Sequence, residues 1–286
     1  MSEPKEHPST YFVQNRANEE ELTRLCLQDK MLTTAMGGVL TEQSNPASLQ
    51  AVLDIGSGPG NWLIELALTY PGIKRLEGVD VSARMVEYAR KQASLAQLED
   101  RLHFSMMDAL RMLEFRTGSF DLVNLRLGMS FLRTWDWPKM IWEMSRVCRQ
   151  GGTIRITEGK VFECNTPALS QLRDLLLRAG AHAGHFTTTR QQGFLGHIEP
   201  PLRQQGIGTL HKQPIHMLYQ ANTAQGELMI QDMRHVFRTG LPFLRKWIRL
   251  PTDYEAIYEQ ALAEMQQPGF VTTWDLLTFW GHPPSR

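Results

Sequence analysis

The hydrophobic pattern alternates between short continuous apolar runs and stripes at helical spacing. Residues 18–36, NEEELTRLCLQDKMLTTAM, predict an amphipathic helix: Leu22, Leu25, Met31 and Leu32 recur near a helical period, and acids fill the first turn. Gly37, Gly38 and Pro46 then break the pattern. The runs AVLDIG, KRLEGVDV, RLHFSMMDA, FDLVNLRL and TIRITEG predict five strands. Between them, NWLIELALTY, ARMVEYARKQASLA and PKMIWEMSRVC predict helices. Ser82 is placed to cap the second, and Met140, Ile141, Met144 and Val147 share a face of the third. Thr166 and Pro167 suit the cap and first position of another helix, ALSQLRDLLLRAG.

Strand, helix, strand at this pitch implies right-handed crossovers and a parallel sheet. After residue 184 the pattern loosens into loop and short helix, over HFTTTRQQGFLGHIEPPLRQQG. QPIHMLYQANT predicts a sixth strand, residues 225–267 predict helices, and WDLLTFWG predicts a last strand. The expected fold class is α/β, with seven strands in a mostly parallel sheet and helices on both faces. Residues 1–46 are expected to form an N-terminal helical lid, and residues 47–286 one domain with a helical insertion before its last strand.

Composition narrows the function classes. The chain has 286 residues, 42% hydrophobic and 21% charged, as in a globular protein. Its 30 basic and 30 acidic residues cancel, which argues against a protein built to grip a phosphate backbone. Cys26, Cys148 and Cys164 form no CxxC pair, so neither a zinc site nor a disulfide framework is expected. The start, MSEPKEHPST, is polar, and no apolar run approaches the roughly 20 residues that span a bilayer. A cytoplasmic protein without metal, membrane or nucleic-acid partner is the expectation; a homo-oligomer stays open.

The candidate chemistry begins at DIGSGPG, between the first strand and its helix. Gly56, Gly58 and Gly60 permit positive φ and let a ligand touch the main chain, next to the positive end of a helix. A dinucleotide-binding GxGxxG would need a third glycine where Asn61 stands, which counts against a nicotinamide oxidoreductase. The stretch Asp54–Gly60, DxGxGxG, resembles the first motif of the class I S-adenosylmethionine-dependent methyltransferases. Asp80 in GVDVS, Met107-Asp108-Ala109 after the third strand, and SFDLVNLRLGMSFL with VCRQGGTIRITE resemble the family's later motifs. The resemblance covers roughly residues 47–160 and, more loosely, the last two strands.

The resemblance implies a Rossmann-like fold and S-adenosyl-L-methionine as cofactor. It places Asp54, Gly56, Ser57, Gly58 and Gly60 at the methionine end, and Asp80 with Val81 at the ribose. Met85, Met107, Asp108 and Ala109 fall at the adenine, with Asn124 and Arg126 below the methyl group. Asp54 could equally brace its own turn, and Arg126 could only pair with a nearby acid. Methyl transfer needs alignment and exclusion of water more than acid–base groups. The catalytic candidates are therefore His185, Tyr11 and Arg126, with His182, His197 and His211 as further histidines of the late region. Tyr11 and Phe12 would close on the acceptor or the cofactor; Trp135 and Trp137 would line an aromatic slot or pack under the next helix. Five basic residues in RHVFRTGLPFLRKWIRL, Arg234, Arg238, Arg245, Lys246 and Arg249, predict a solvated helix face, with an acidic acceptor, a membrane surface or RNA as the sharper options. The expected activity is methylation of O, N or C on a small natural-product-like acceptor. The alternative is a cofactor-binding scaffold or sensor without turnover.

Overall fold

The computed structural model describes residues 11–13, 18–185 and 195–284. The parts of the expected lid at 1–10 and 14–17, and the loop expected over 186–194, lie outside them. Helix α1 (Glu19–Ala35) is followed by the first β-α alternation: β1 (Ala51–Ile55), α2 (Asn61–Thr69), β2 (Arg75–Asp80), α3 (Ala83–Leu95), β3 (Leu102–Met106), β4 (Phe120–Arg126), α4 (Trp137–Val147) and β5 (Cys148–Gly159). The chain continues through β6 (Glu163–Cys164), α5 (Pro167–Ala183), α6 (Glu199–Gln204), β7 (Leu210–Gln220), α7 (Ala224–Thr239), α8 (Leu241–Trp247), α9 (Tyr254–Glu264) and β8 (Val271–Gly281).

The described strands form one eight-stranded sheet ordered β3-β2-β1-β4-β5-β8-β6, with β7 also paired to β8. The first five strands run parallel, and β8 is antiparallel to β5, β6 and β7. The architecture is the expected mostly parallel α/β sheet. It adds one two-residue strand, Glu163–Cys164, too short to leave a periodic signal. Every residue of β1 after Ala51 is buried, as in a parallel strand covered on both faces. Val52, Leu76 and Leu122 face α2 and α3, while Leu53, Val123 and Ile154 face α4 and α6. A third apolar cluster joins α1, α5, α7, α8 and α9 over β7.

Caps explain the helix starts. Ser82 Oγ accepts from the Met85 N–H at 3.4 Å, and the Asn18 side chain accepts from Glu20 N–H at 2.8 Å. Thr166 and Pro167 do open α5, although the Thr166 side chain makes no capping bond. The four bases of α7 and α8, and Arg249 just after α8, are exposed, and Phe237, Phe243, Leu244 and Ile248 between them are buried, so this is a solvated helix face. Trp137 is the buried first residue of α4, and Trp135 is exposed, close to Gly184.

Gly60 is needed for the fold as much as for any ligand. Its φ is +79°, and a Cβ there would lie 2.5 Å from the Phe104 ring. Gly60→Ala is expected to cost about 2–5 kcal/mol, from left-handed backbone plus overpacking. Gly72, where a Cβ meets nothing within 4 Å, is the control and should tolerate alanine. Urea unfolding checks both; a Gly60→Ala midpoint equal to the parent's would refute the packing role.

Candidate active site

The turn after β1 is fastened to the end of β2. Gly56 N–H and Ser57 N–H donate to the Val79 carbonyl at 2.8 and 3.0 Å. Asp80 closes the junction: Oδ2 accepts from Gly58 N–H at 2.9 Å and Oδ1 from Ser82 N–H at 2.8 Å. A carboxylate oxygen can accept more than one hydrogen bond, so this brace also leaves Asp80 able to receive ligand hydroxyls. Gly56 and Gly58 have φ of +67° and +52°. A Cβ on Gly56 would come within 3.1 Å of Phe131, whereas at Gly58 the nearest atom, on Leu25, is 3.9 Å away.

This junction forms one end of a cavity of about 310 Å³. Asp54, Gly56, Ser57, Gly58, Asp80, Val81, Met85, Met107, Asp108 and Ala109 all line it. Two residues expected there do not. Gly60 faces Phe104 and Ala89 behind the turn. Asn124 is fully buried behind Asp54, donating to Asp54 Oδ1 at 2.7 Å and accepting from Arg155 Nη1 at 2.7 Å. Arg155 in turn donates to Glu42 Oε1 at 2.7 Å. This chain of contacts holds the Asp54 side chain from below. Burial raises the Asp54 carboxyl to about 6, opposed by Arg126 and the Asn124 amide.

Arg126 also lines the cavity. It pairs with Asp29 of α1 at 2.5 Å, not with Asp54, and lies over the Trp62 ring at 5.4 Å. Among the described residues, its Nε and Nη1 are buried without a hydrogen-bond partner, as is Ser57 Oγ. Those orphaned donors, beside a buried carboxylate and a turn stripped of side chains, suit a ligand with a carboxylate, an ammonium and a flat body. The residues present therefore fit S-adenosylmethionine.

The other end is mostly apolar and lies under α1, α7 and α8. Phe12, Leu25, Leu32, Met129, Phe162, Met229, Met233, Phe237, Phe243 and Trp274 line it. Tyr11 lines it as well, its hydroxyl donating to Glu21 Oε1 at 2.5 Å. Burial and the Glu21 charge push the Tyr11 hydroxyl well above its ordinary value, so it stays protonated. His185 does not reach the cavity. It is buried behind Phe12 and Phe243, with Nδ1 3.0 Å from the Leu132 carbonyl, because these two rings fill the wall in front of it. His182, His197 and His211 lie elsewhere, and no histidine is among the described residues lining the cavity.

Sequence reasoning missed the charged corner of this chamber. Glu21 and Arg24 of α1 and Asp232 of α7 are all buried and line it. Arg24 donates to Glu21 at 2.8 and 2.7 Å and to Asp232 at 3.3 Å. The spacing of Glu21, Arg24, Gln28 and Leu32 on one helical face was a usable signal, hidden because half of that face is polar. Glu158 was missed too. It is buried beneath the Gly128–Met129 backbone, and burial raises its carboxyl to about 8. Among the described residues, no group of three or more His, Cys, Asp or Glu side chains could hold a metal ion, and no helix is long and apolar enough to cross a membrane.

Residues 52–152 match the methyltransferase domain family. A demethylmenaquinone methyltransferase of Porphyromonas gingivalis is 32% identical over 114 residues, 40% of this chain and 45% of that protein. A malonyl-acyl-carrier-protein O-methyltransferase of Legionella pneumophila is 26% identical over 250 residues, 78% of this chain and 81% of that one. The chain thus spans less than half the length of the first of these relatives. Among solved structures, the cyclase SpnF superposes with a TM-score of 0.52 at 16% identity, over 98% of this chain and 100% of that chain. That likeness shows the fold alone, and a fold hosts many reactions. Residues 52–152, from β1 into β5, are thus similar to the methyltransferase domain family, and the glycine turn they contain forms one end of the cavity.

Proposed function

We propose that the protein methylates an oxygen, nitrogen or carbon atom of an apolar, natural-product-like small molecule. One observation carries this reading: a single cavity runs from the glycine turn and Asp80 to the aromatic chamber under α1, α7 and α8. A binding protein without turnover would need the first end but no second chamber open to it.

When bound, S-adenosylmethionine supplies an electrophilic methyl group on a sulfonium. The chain's own residues hold and orient. Asp80 accepts from the ribose hydroxyls while bracing Gly58. Asp108 accepts from the adenine amino group, and Met85 and Met107 pack against the ring. Asp54, held by Asn124, takes the ammonium. Arg126 offers Nε and Nη1 to the carboxylate, which makes it a cofactor residue rather than a group beneath the methyl. The aromatic chamber excludes water and fixes the acceptor, which is where most of the rate enhancement arises. Tyr11 orients through its hydroxyl and does not take a proton. His185 supports Phe12 and Phe243 from behind.

Two outcomes test the cofactor end. Asp80→Asn should weaken S-adenosylhomocysteine binding about 10- to 100-fold in titration calorimetry, the scale of a lost charged hydrogen bond. An unchanged dissociation constant with an unchanged melting temperature would remove Asp80 from the site.

The second outcome follows from Asp54. Its folded value, about 6, lies above its ordinary 3.8, so the folded chain binds the extra proton between these limits. In the free protein the group therefore costs stability as pH rises from about 4 to about 6. An ammonium ligand needs the ionised form. S-adenosylhomocysteine affinity should be level above about pH 7 and fall as pH drops through about 6, and Asp54→Asn should flatten that fall. A parent profile level down to pH 5 would contradict the assignment.

A further inference from the structure

The charged corner of the chamber has an unbalanced acid. Glu21 and Arg24 form a two-bond pair, with Arg24 Nε on Oε2 at 2.8 Å and Nη2 on Oε1 at 2.7 Å. That pair is internally neutral and uses the best donors of Arg24. Thr239 Oγ1 and the Tyr11 hydroxyl add further donors to Glu21, at 3.2 and 2.5 Å. Asp232 is served differently. It is 1% exposed, and its one hydrogen-bond partner among the described residues is Arg24 Nη1, at 3.3 Å. A buried carboxylate with one long contact is costly unless something else pairs with it.

A second observation points to the same spot. The Tyr219 hydroxyl, on a residue 4% exposed, has no hydrogen-bond partner among the described residues and lies within electrostatic range of Asp232. Two polar groups of this corner are thus short of partners among the described residues, and one of them, Asp232, lines the cavity. The lining as a whole has the same sign. Six acidic side chains face three basic ones, and two of those bases, Arg126 and Lys160, are tied to Asp29 and Asp275. An anionic acceptor would meet two carboxylates at the corner, with Arg24 already occupied. A cation would supply what Asp232 lacks. Met229 and Met233 on the same helix, with Phe162 and Phe237, suit the apolar body attached to such a group.

We propose that the acceptor carries a basic nitrogen, which docks as a cation against Asp232 with its apolar body in the aromatic chamber. This rests on the reading of the chamber as the acceptor site. It names the substrate class: apolar amines rather than carboxylic acids or neutral alcohols. The nitrogen at Asp232 is a recognition point, and the atom that takes the methyl lies elsewhere on the molecule or on the same nitrogen.

The test uses the full chain loaded with S-adenosylhomocysteine and three matched probes: 4-phenylbutylamine, 4-phenylbutan-1-ol and 4-phenylbutanoate. Calorimetry at pH 7.5 should show the amine binding about tenfold more tightly than the alcohol, with no detectable binding of the carboxylate. Asp232→Asn should bring amine and alcohol within about twofold of each other, leaving the alcohol and S-adenosylhomocysteine unchanged. The comparison of the three probes on the parent protein needs no variant, so it decides even if Asp232→Asn fails to fold. Equal binding of amine and alcohol, tighter binding of the carboxylate, or no binding of any probe overturns the proposal while leaving the cofactor end intact. Failure of S-adenosylhomocysteine itself to bind would instead overturn the reading of the whole cavity.

Discussion

The structure depends on one carboxylate at the end of one strand gripping the backbone that follows its neighbour. Asp80 holds the Gly58 N–H at 2.9 Å and the Ser82 N–H at 2.8 Å, so the first two βα junctions are a single rigid unit. Because the turn it grips has no side chains at 56 and 58, the main chain itself becomes a binding surface. Gly60 then closes the unit from behind, against Phe104, and starts α2. Three glycines within five residues thus do three jobs: one bends under Phe131, one opens on the cavity, and one packs in the core. The strand order brings the same junction to the middle of the sheet, where open α/β folds bind their ligands at carboxyl ends.

Buried charge is the second constraint. The cofactor end holds Asp54 through Asn124, Arg155 and Glu42, a line of polar groups running from the cavity into the interior. The aromatic chamber holds Glu21, Arg24 and Asp232 between α1 and α7, two helices about 200 residues apart in the chain that meet over the cavity. Such groups stabilise little on balance, since desolvation offsets most of the pairing. Their cost is intelligible if they fix the orientation of ligands. Arg126, whose Nε and Nη1 have no partner among the described residues, lines the cavity where that orientation would be needed.

Most of the fold was legible because each βα unit carries its own local signal: an apolar run, a cap such as Ser82, and a helical stripe. The grouping of the residues around the glycine turn was legible for the same reason, being built from short motifs at strand ends. Two of its expected members turned inward. Asn124 sits on the strand just behind Asp54, and Gly60 one turn too late, and no local pattern distinguishes facing the ligand from bracing what faces it. The aromatic chamber was poorly legible. It is assembled from helices distant in sequence, and its decisive face on α1 mixes Glu21 and Arg24 with Leu25 and Leu32, which weakens any hydropathy periodicity. His185 was the natural residue to suspect by type, but whether a histidine faces a cavity or stands behind Phe12 and Phe243 depends on tertiary packing alone.

The central claim is that one cavity holds an adenosyl group at its glycine end and an acceptor at its aromatic end. A crystal structure of the full chain with S-adenosylhomocysteine tests it most directly. The account predicts the ribose hydroxyls on Asp80, the amino-acid end between Asp54 and Arg126, and the sulfur turned toward the chamber under α1 and α7. Density for the ligand outside the Gly56–Gly58 turn, or with its sulfur turned away from that chamber, would contradict it.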